Sequence, residues 1–263
     1  MRDGRAGTAP VPFPTGLTAS WITRCDADRR VRRLATNNRR VSSEQGVRSP
    51  FGELKLAEFI DHLASAAPVP GGGSASAVAA SVGAGLVAMV ASLSQDRPKY
   101  AAHAALHARS IEVGRRLAAR FLDLADADAD AYATFSAALK LPRDTDDAKE
   151  RRRAAMSAAA RAAADVPLAV VEGCQELVAS AESLVGRSNV NAASDLNVAA
   201  LLAEAAARGA AENVYVNLPA VDDESYRGEM TSRVKRLVDN IEEFAAAVQA
   251  GVGDGVARSP LPE

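Results

Sequence analysis

Aromatic side chains are scarce in this chain: they make up 4% of 263 residues, although apolar residues together reach 48%. Alanine supplies most of the apolar set, which points to close-packed helices with small residues between them. Cysteine is nearly absent. Cys25 and Cys174 stand far apart, form no metal-binding spacing and give no reason to expect a disulfide, so a reducing, cytoplasmic setting is expected. No run of about 18 apolar residues free of charge or glycine breaks occurs, residues 78–93 coming nearest, and no membrane span is expected. The amino terminus lacks the apolar core of a signal peptide, because residues 9–21 hold three prolines, a glycine and polar side chains. Strand-like alternation is missing apart from Val214-Tyr215-Val216, which has no partner strand.

The formal charge of −2 is unevenly spread. Residues 1–50 carry ten arginines against four acids, whereas residues 51–263 carry 21 basic and 29 acidic side chains. An acidic globular part is a poor match for a phosphate backbone, so no nucleic-acid partner is expected. The first 50 residues show no sustained periodicity and read as a disordered or non-native basic extension. Their Arg-rich, acid-poor composition also has something of a transit peptide.

From Glu53 onward the pattern is helical. Leu56, Phe59, Ile60 and Leu63 share one face of a short helix that Pro68 and Pro70 end. Residues 74–93 are apolar nearly all round, which predicts a central, buried helix, with Gly83 and Gly85 permitting close approach of neighbours. A long helix over 100–139 carries the stripe Val113, Leu117, Phe121, Leu124, Asp128, Tyr132, Phe135, Leu139. Residues 145–184 form a fourth helix, which Pro167 should kink or split. A polar, Asn-rich loop over 188–193 leads to a fifth helix starting near Ser194, and a sixth spans 223–250. The fold class is therefore all-α: one bundle of about six helices over residues 51–250, followed by a flexible Gly/Pro tail over 251–263.

Four constellations are candidates for chemistry. The first is Pro68-Val-Pro-Gly71-Gly72-Gly73-Ser74-Ala-Ser76. It has no P-loop lysine and no preceding strand, so it is neither a Walker motif nor a dinucleotide fingerprint. It is either a tight turn with Ser74 as N-cap or a loop whose backbone amides meet a ligand. The second is Asp128, on an apolar stripe where burial would raise its pKa and poise it as an acid or base; a solvated patch of Asp126, Asp128 and Asp130 is the plainer alternative. The third is a set of amides and an acid: Asn189, Asn191, Ser194 and Asp195, with Asn213 and Asn217 further along the same helix. Amides can read a heterocycle edge or bind neighbouring backbone, and Ser194-Asp195 also reads as plain helix capping. The fourth is Lys140 with Arg151-Arg152-Arg153, flanking Pro142, either an anion site or a solvated cluster balancing nearby acids. His103 and His107 lack the glutamate of a zincin and a third ligand, so no metal is expected. No Ser/His/Asp order suggests a nucleophile.

Taken in order and spacing, residues 68–76, Asp128-Ala-Asp-Ala-Tyr132, Lys140-Leu-Pro142, Asp165-Val-Pro-Leu168, Ser194-Asp195 and Asn213-Val-Tyr-Val-Asn217-Leu218 resemble the cyclodeaminase/cyclohydrolase family. That family includes the cyclodeaminase half of formiminotransferase-cyclodeaminase and free-standing methenyltetrahydrofolate cyclohydrolases. The resemblance covers residues 54 to about 250 and implies the free-standing form. It implies a helical homodimer binding a reduced folate near the subunit contact, with the folate as substrate and no separate cofactor. Two reactions are implied: cyclodeamination of 5-formiminotetrahydrofolate with loss of ammonia, or hydrolysis of 5,10-methenyltetrahydrofolate. It makes Asp128 the acid/base and Asp195 an ionised partner. Gly71, Gly72, Gly73, Ser74, Ser76, Asn191, Ser194, Asn213 and Asn217 would contact the folate, with Lys140 and Arg152 on its glutamate tail. Asn197 departs from the pattern, where a small residue is expected. A helical scaffold without catalysis is the competing reading.

Overall fold

Small residues let five long helices pack at close range in this computed structural model, which describes residues 50–261. The expectation for residues 1–50 therefore lies outside the described residues except at Pro50. A short helix α1 (Leu56–Leu63) is followed by α2 (Gly72–Ser94), α3 (Ala104–Leu139), α4 (Asp146–Leu184), α5 (Ala193–Asn217) and α6 (Glu224–Asp254), with 3-10 turns at Phe51–Glu53, Pro98–His103, Val190–Ala192 and Leu218–Ala220. No strand occurs among the described residues.

Helices α2 to α5 form a ring in which α2 packs on α3 and α5, and α4 packs on α3 and α5; α6 lies against α4 and α5. Neighbours in the ring are antiparallel. Ser74 meets Ala125 and Ser81 meets Ala118 across α2 and α3. Gly209 abuts Ser76 while Gly83 abuts Ala199 and Leu202 across α2 and α5. A methyl group on Gly114 would fall 2.7 Å from the Ala84 carbonyl oxygen, and one on Gly173 would fall 2.7 Å from the Phe121 ring. Those glycines set the α2–α3 and α3–α4 spacing. Gly85, expected to do the same as Gly83, instead has nothing within 4 Å of where its Cβ would be.

Several sequence expectations change at this level. α2 is not buried all round: Ala77, Ala80, Ala84, Val87 and Ala91 face the core, but Val82, Met89 and Leu93 are exposed. Of the α1 stripe only Phe59 is buried, edge-on to Phe51 at a centroid distance of 5.5 Å, while Leu56 and Ile60 are exposed. The α3 stripe is buried through Leu117, Phe121 and Leu124, but Tyr132 and Leu139 emerge. By length and composition α2 and α4 are apolar enough to cross a membrane, contrary to the expectation from uninterrupted runs; about half of each such window is buried inside the bundle. α6 runs on to Asp254, past the expected end at residue 250, and closes at Gly255 in the left-handed region (φ 64°). The segment after it is tied down, since Arg258 pairs with Glu182 and donates its backbone N–H to the Gly186 carbonyl.

Pro167 neither splits α4 nor ends it. A proline cannot donate to the carbonyl four residues back, here Ala163. Asn217 Nδ2, from α5, donates to Ala163 O at 3.0 Å and so fills that gap.

Candidate active site

The triple-glycine segment is the beginning of α2 rather than a loop before it. Gly71 is the N-cap, without a side-chain cap of its own, and Gly72, Gly73 and Ser74 form the first turn. Ser74 is thus not the N-cap that its sequence position suggests. The cap comes from 54 residues away. Asp128 on α3 accepts a hydrogen bond from Ser74 Oγ at 2.9 Å and another from the Ser74 backbone N–H. Ser74 Oγ lies 3.0 Å from Ala125 O as well, and the residue is fully buried. A carboxylate in this place answers the unpaired amides and the positive end of the helix dipole.

Asp128 is packed directly over the glycine backbone. A Cβ at residue 73 would fall 2.2 Å from Asp128 Oδ1, so only glycine fits there. Residues 71 and 72 are less constrained, their nearest neighbours being Pro68 O at 3.8 Å and Asn213 Nδ2 at 3.7 Å. Burial raises the Asp128 pKa above the ordinary carboxylate value, and the Ser74 hydroxyl and amide offset part of that rise. Asp130, by contrast, is exposed. Asp126 accepts the Phe51 N–H at 3.0 Å. The three aspartates are therefore not one solvated patch.

Asn213 and Asn217 join this end of the bundle. Asn213 Nδ2 donates to Gly209 O at 2.8 Å, and no described residue engages its Oδ1. Asn217 Nδ2 is committed to Ala163 O and to Asn213 O, so its amide nitrogen serves the fold. Ser76 Oγ donates to Gly72 O at 2.8 Å. Lys140 and Arg152 lie farther along, at the α3–α4 turn. Arg152 places both Nε and Nη2 3.2 Å from Leu139 O and so caps the carboxyl end of α3. Beside it is a cavity of about 330 Å³ lined by Arg143, Lys149, Arg152, Arg153, Met156 and Ala220. Lys149 and Arg153 already pair with Asp146 and with Glu150 and Asp222.

Asn191, Ser194 and Asp195 are not brought to this end. They sit at the start of α5, where Ala192 is the N-cap and Ser194 is already inside the helix and exposed. The Asn-rich loop is in part a 3-10 turn, capped by Asn189 Oδ1 accepting the Asn191 N–H at 3.2 Å. Because α5 is antiparallel to α2, Asp195 lies 18 residues, or ~27 Å, along the helix from Asn213. Within one chain Asp128 and Asp195 do not face a common ligand. Sequence reasoning missed two features. Asp165, given no role, accepts the Tyr226 hydroxyl at 2.8 Å. Asn197 Oδ1 is buried with no partner. His107 is a buried residue whose Nε2 meets Arg187 O at 2.8 Å.

Comparison with known proteins adds to this geometry. Residues 55–236 match the family described as formiminotransferase-cyclodeaminase. The chain is 36% identical over 187 residues to a methenyltetrahydrofolate cyclohydrolase of Methylorubrum extorquens, covering 71% of this chain and 90% of that one. It is 34% identical to the formimidoyltransferase-cyclodeaminase of Sus scrofa over 78% of this chain, but spans only 38% of that longer protein. In structure it is similar to a formiminotetrahydrofolate cyclodeaminase of Thermotoga maritima, with a TM-score of 0.71 and 27% identity, over 77% of this chain and 98% of that one.

Proposed function

Because this chain belongs to the formiminotransferase-cyclodeaminase family, we propose that it acts on the one-carbon bridge of a reduced folate, with Asp128 as the proton-transfer group. The observation that carries this reading is the Asp128 carboxylate, raised in pKa by burial and held by Ser74 against the amino terminus of α2. The bridge of 5,10-methenyltetrahydrofolate is cationic. A carboxylate beside it stabilises the charge, takes a proton from the water that adds to the bridge carbon and returns one to N5 as the C–N5 bond breaks. The formyl group is left on N10 and one proton is released overall. No further cofactor enters this scheme.

Hydrolysis of the methenyl bridge is supported by the match over 90% of the length of a cyclohydrolase. Cyclodeamination is the second reading, favoured by the likeness to a solved cyclodeaminase over 98% of its length. There the same carboxylate would relay a proton from N10 to the departing ammonia.

The pterin is proposed to lie across Gly71, Gly72, Gly73, Ser76 and Asn213, with its tail toward Lys140 and the Arg152 cavity. Eleven residues of α3 separate Asp128 from Leu139, ~16 Å, about the reach of a folate from pterin to glutamate. The working form is proposed to be a homodimer.

The test is an absorbance assay for methenyltetrahydrofolate run in both directions, and again with 5-formiminotetrahydrofolate. Consumption of the methenyl compound identifies the cyclohydrolase, and its appearance with ammonia from the formimino compound identifies the cyclodeaminase. Neither reaction, together with no thermal stabilisation by any reduced folate, would favour a non-catalytic scaffold; a ligand at 100 times its Kd should add about 2.7 kcal/mol.

A further inference from the structure

Helices α2 and α3 pack residue for residue, Ser81 meeting Ala118 and Ser74 meeting Ala125. α2 begins at Gly72, two residues before Ser74, so its cover over α3 ends at the level of Asp128. α3 runs on to Leu139. On this overhang Ala129, Ala131 and Ala138 stay buried, but the stripe that carries Asp128 comes into the open. Tyr132 is 45% exposed, Leu139 43%, and Leu141, just past the helix end, 41%. Tyr132 is the one exposed aromatic side chain among the described residues. Its ring stacks on no other described ring, and its hydroxyl bonds to no described residue. An aromatic face left open one helical turn from a half-buried carboxylate is a platform for another ring.

Along this ledge the chemistry changes in a fixed order. Asp128 stands at one end, and Tyr132 follows one turn on, ~6 Å along the helix. Phe135 and Leu139 complete the stripe, which carries no charge after Asp128 until Lys140. Arg152, held on Leu139 O, closes the far end ~16 Å from Asp128. A reduced folate has the same order: a pterin that exchanges protons, an uncharged p-aminobenzoyl ring, and an anionic glutamate. Three exposed side chains on so short an overhang fall well below the ~800 Å² per partner of a standard protein interface, but they are enough to seat one ring.

We propose that Tyr132 is a specificity-determining residue of the folate site, its ring stacking on the p-aminobenzoyl ring and so setting the one-carbon bridge beside Asp128. This rests on the folate reading above and adds the part of the substrate that lies between pterin and glutamate. The benzoyl ring does not change in the chemical step. Tyr132 therefore holds ground state and transition state alike, and contributes to binding rather than to turnover.

Tyr132→Leu and Tyr132→Phe, each studied with the substrate and with p-aminobenzoyl-L-glutamate, test it. That fragment has the ring and the glutamate but no pterin and no bridge, so ligand-detected NMR reads its binding without any catalysis. Tyr132→Leu is expected to raise KM and to weaken the fragment by a similar factor, about three- to tenfold, with kcat unchanged. Tyr132→Phe keeps the ring and should match wild type in both. Asp128→Asn should leave the fragment's affinity unchanged. Because Tyr132 is exposed, both of its variants should keep the wild-type Tm. A Tyr132→Leu variant with wild-type KM and wild-type fragment affinity would overturn the proposal and leave the Asp128 reading standing. So would one that loses kcat at constant KM. A wild-type chain that binds the fragment in a Tyr132-dependent way but turns over no folate would support the ledge and remove the Asp128 chemistry. A chain that neither binds the fragment nor acts on a folate would remove both.

Discussion

The Asp128 carboxylate stands where a side chain on residue 73 would have to be: Oδ1 lies 2.2 Å from the position of a Cβ on Gly73. The acid and the helix start that holds it therefore form one unit, and disturbing either disturbs both.

Gly73→Ala should push the carboxylate off the first turn of α2. Overpacking of this kind costs about 1–3 kcal/mol, and the displaced acid should lower kcat/KM by at least about tenfold. Gly228→Ala on α6, outside the proposed site and with nothing within 4 Å of its Cβ, is the control and should keep wild-type turnover. Thermal unfolding and steady-state kinetics on the pair check this.

Asp128 also links stability to pH. Its pKa is raised in the folded chain above the ordinary value of 3.8, first by burial. The folded state thus keeps a proton that the unfolded state has already lost, and stability falls as pH rises from about 3.8 through the folded pKa. Asp128→Asn cannot ionise and should be the more stable protein at pH 7, with the advantage vanishing as pH approaches 4. A Tm series from pH 4 to 8 reads this directly. An advantage independent of pH would show that ionisation is not its cause.

Asn217 and Pro167 should be energetically coupled. Asn217→Ala leaves the buried Ala163 carbonyl without a donor and should cost about 1–2 kcal/mol, a Tm loss of roughly 2–8 °C for a domain of this size. In a Pro167→Ala background the restored N–H satisfies that carbonyl, and the same substitution should cost less. A double-mutant cycle by denaturant unfolding measures the difference.

The two tail candidates should separate by phenotype. Lys140 is exposed and its ammonium forms no ion pair or hydrogen bond with a described residue, so Lys140→Ala should raise KM about two- to fivefold with kcat and Tm unchanged. Arg152 holds Leu139 O with two nitrogens, so Arg152→Ala should lower Tm as well.

The helices were legible because apolar spacing records the core face, as Leu117, Phe121 and Leu124 illustrate. Asp128 was legible for the same reason, as a carboxylate in line with that stripe. Position alone leaves Ser74 as a possible cap because its partner comes from another helix, and local patterns cannot report a contact across 54 residues. For Asn217 the sequence leaves a ligand and neighbouring backbone equally open, because nothing in its neighbourhood points to the gap that Pro167 leaves in α4. The separation of Asp195 from Asp128 depends on α2 and α5 being antiparallel, a tertiary fact that spacing does not encode. The exposed face of α2 departs from the buried helix its composition predicts, because periodicity tells which residues share a face, not what covers it.

The most direct test of the account is the rate of methenyltetrahydrofolate loss or formation with the wild-type chain and with Asp128→Asn, measured under single-turnover conditions by absorbance. The account predicts a rate well above the uncatalysed reaction for the wild type, and at least a hundredfold lower for the variant with folate still bound. A wild-type rate equal to buffer in both directions and with the formimino substrate, or an Asp128→Asn variant as fast as wild type, would contradict it.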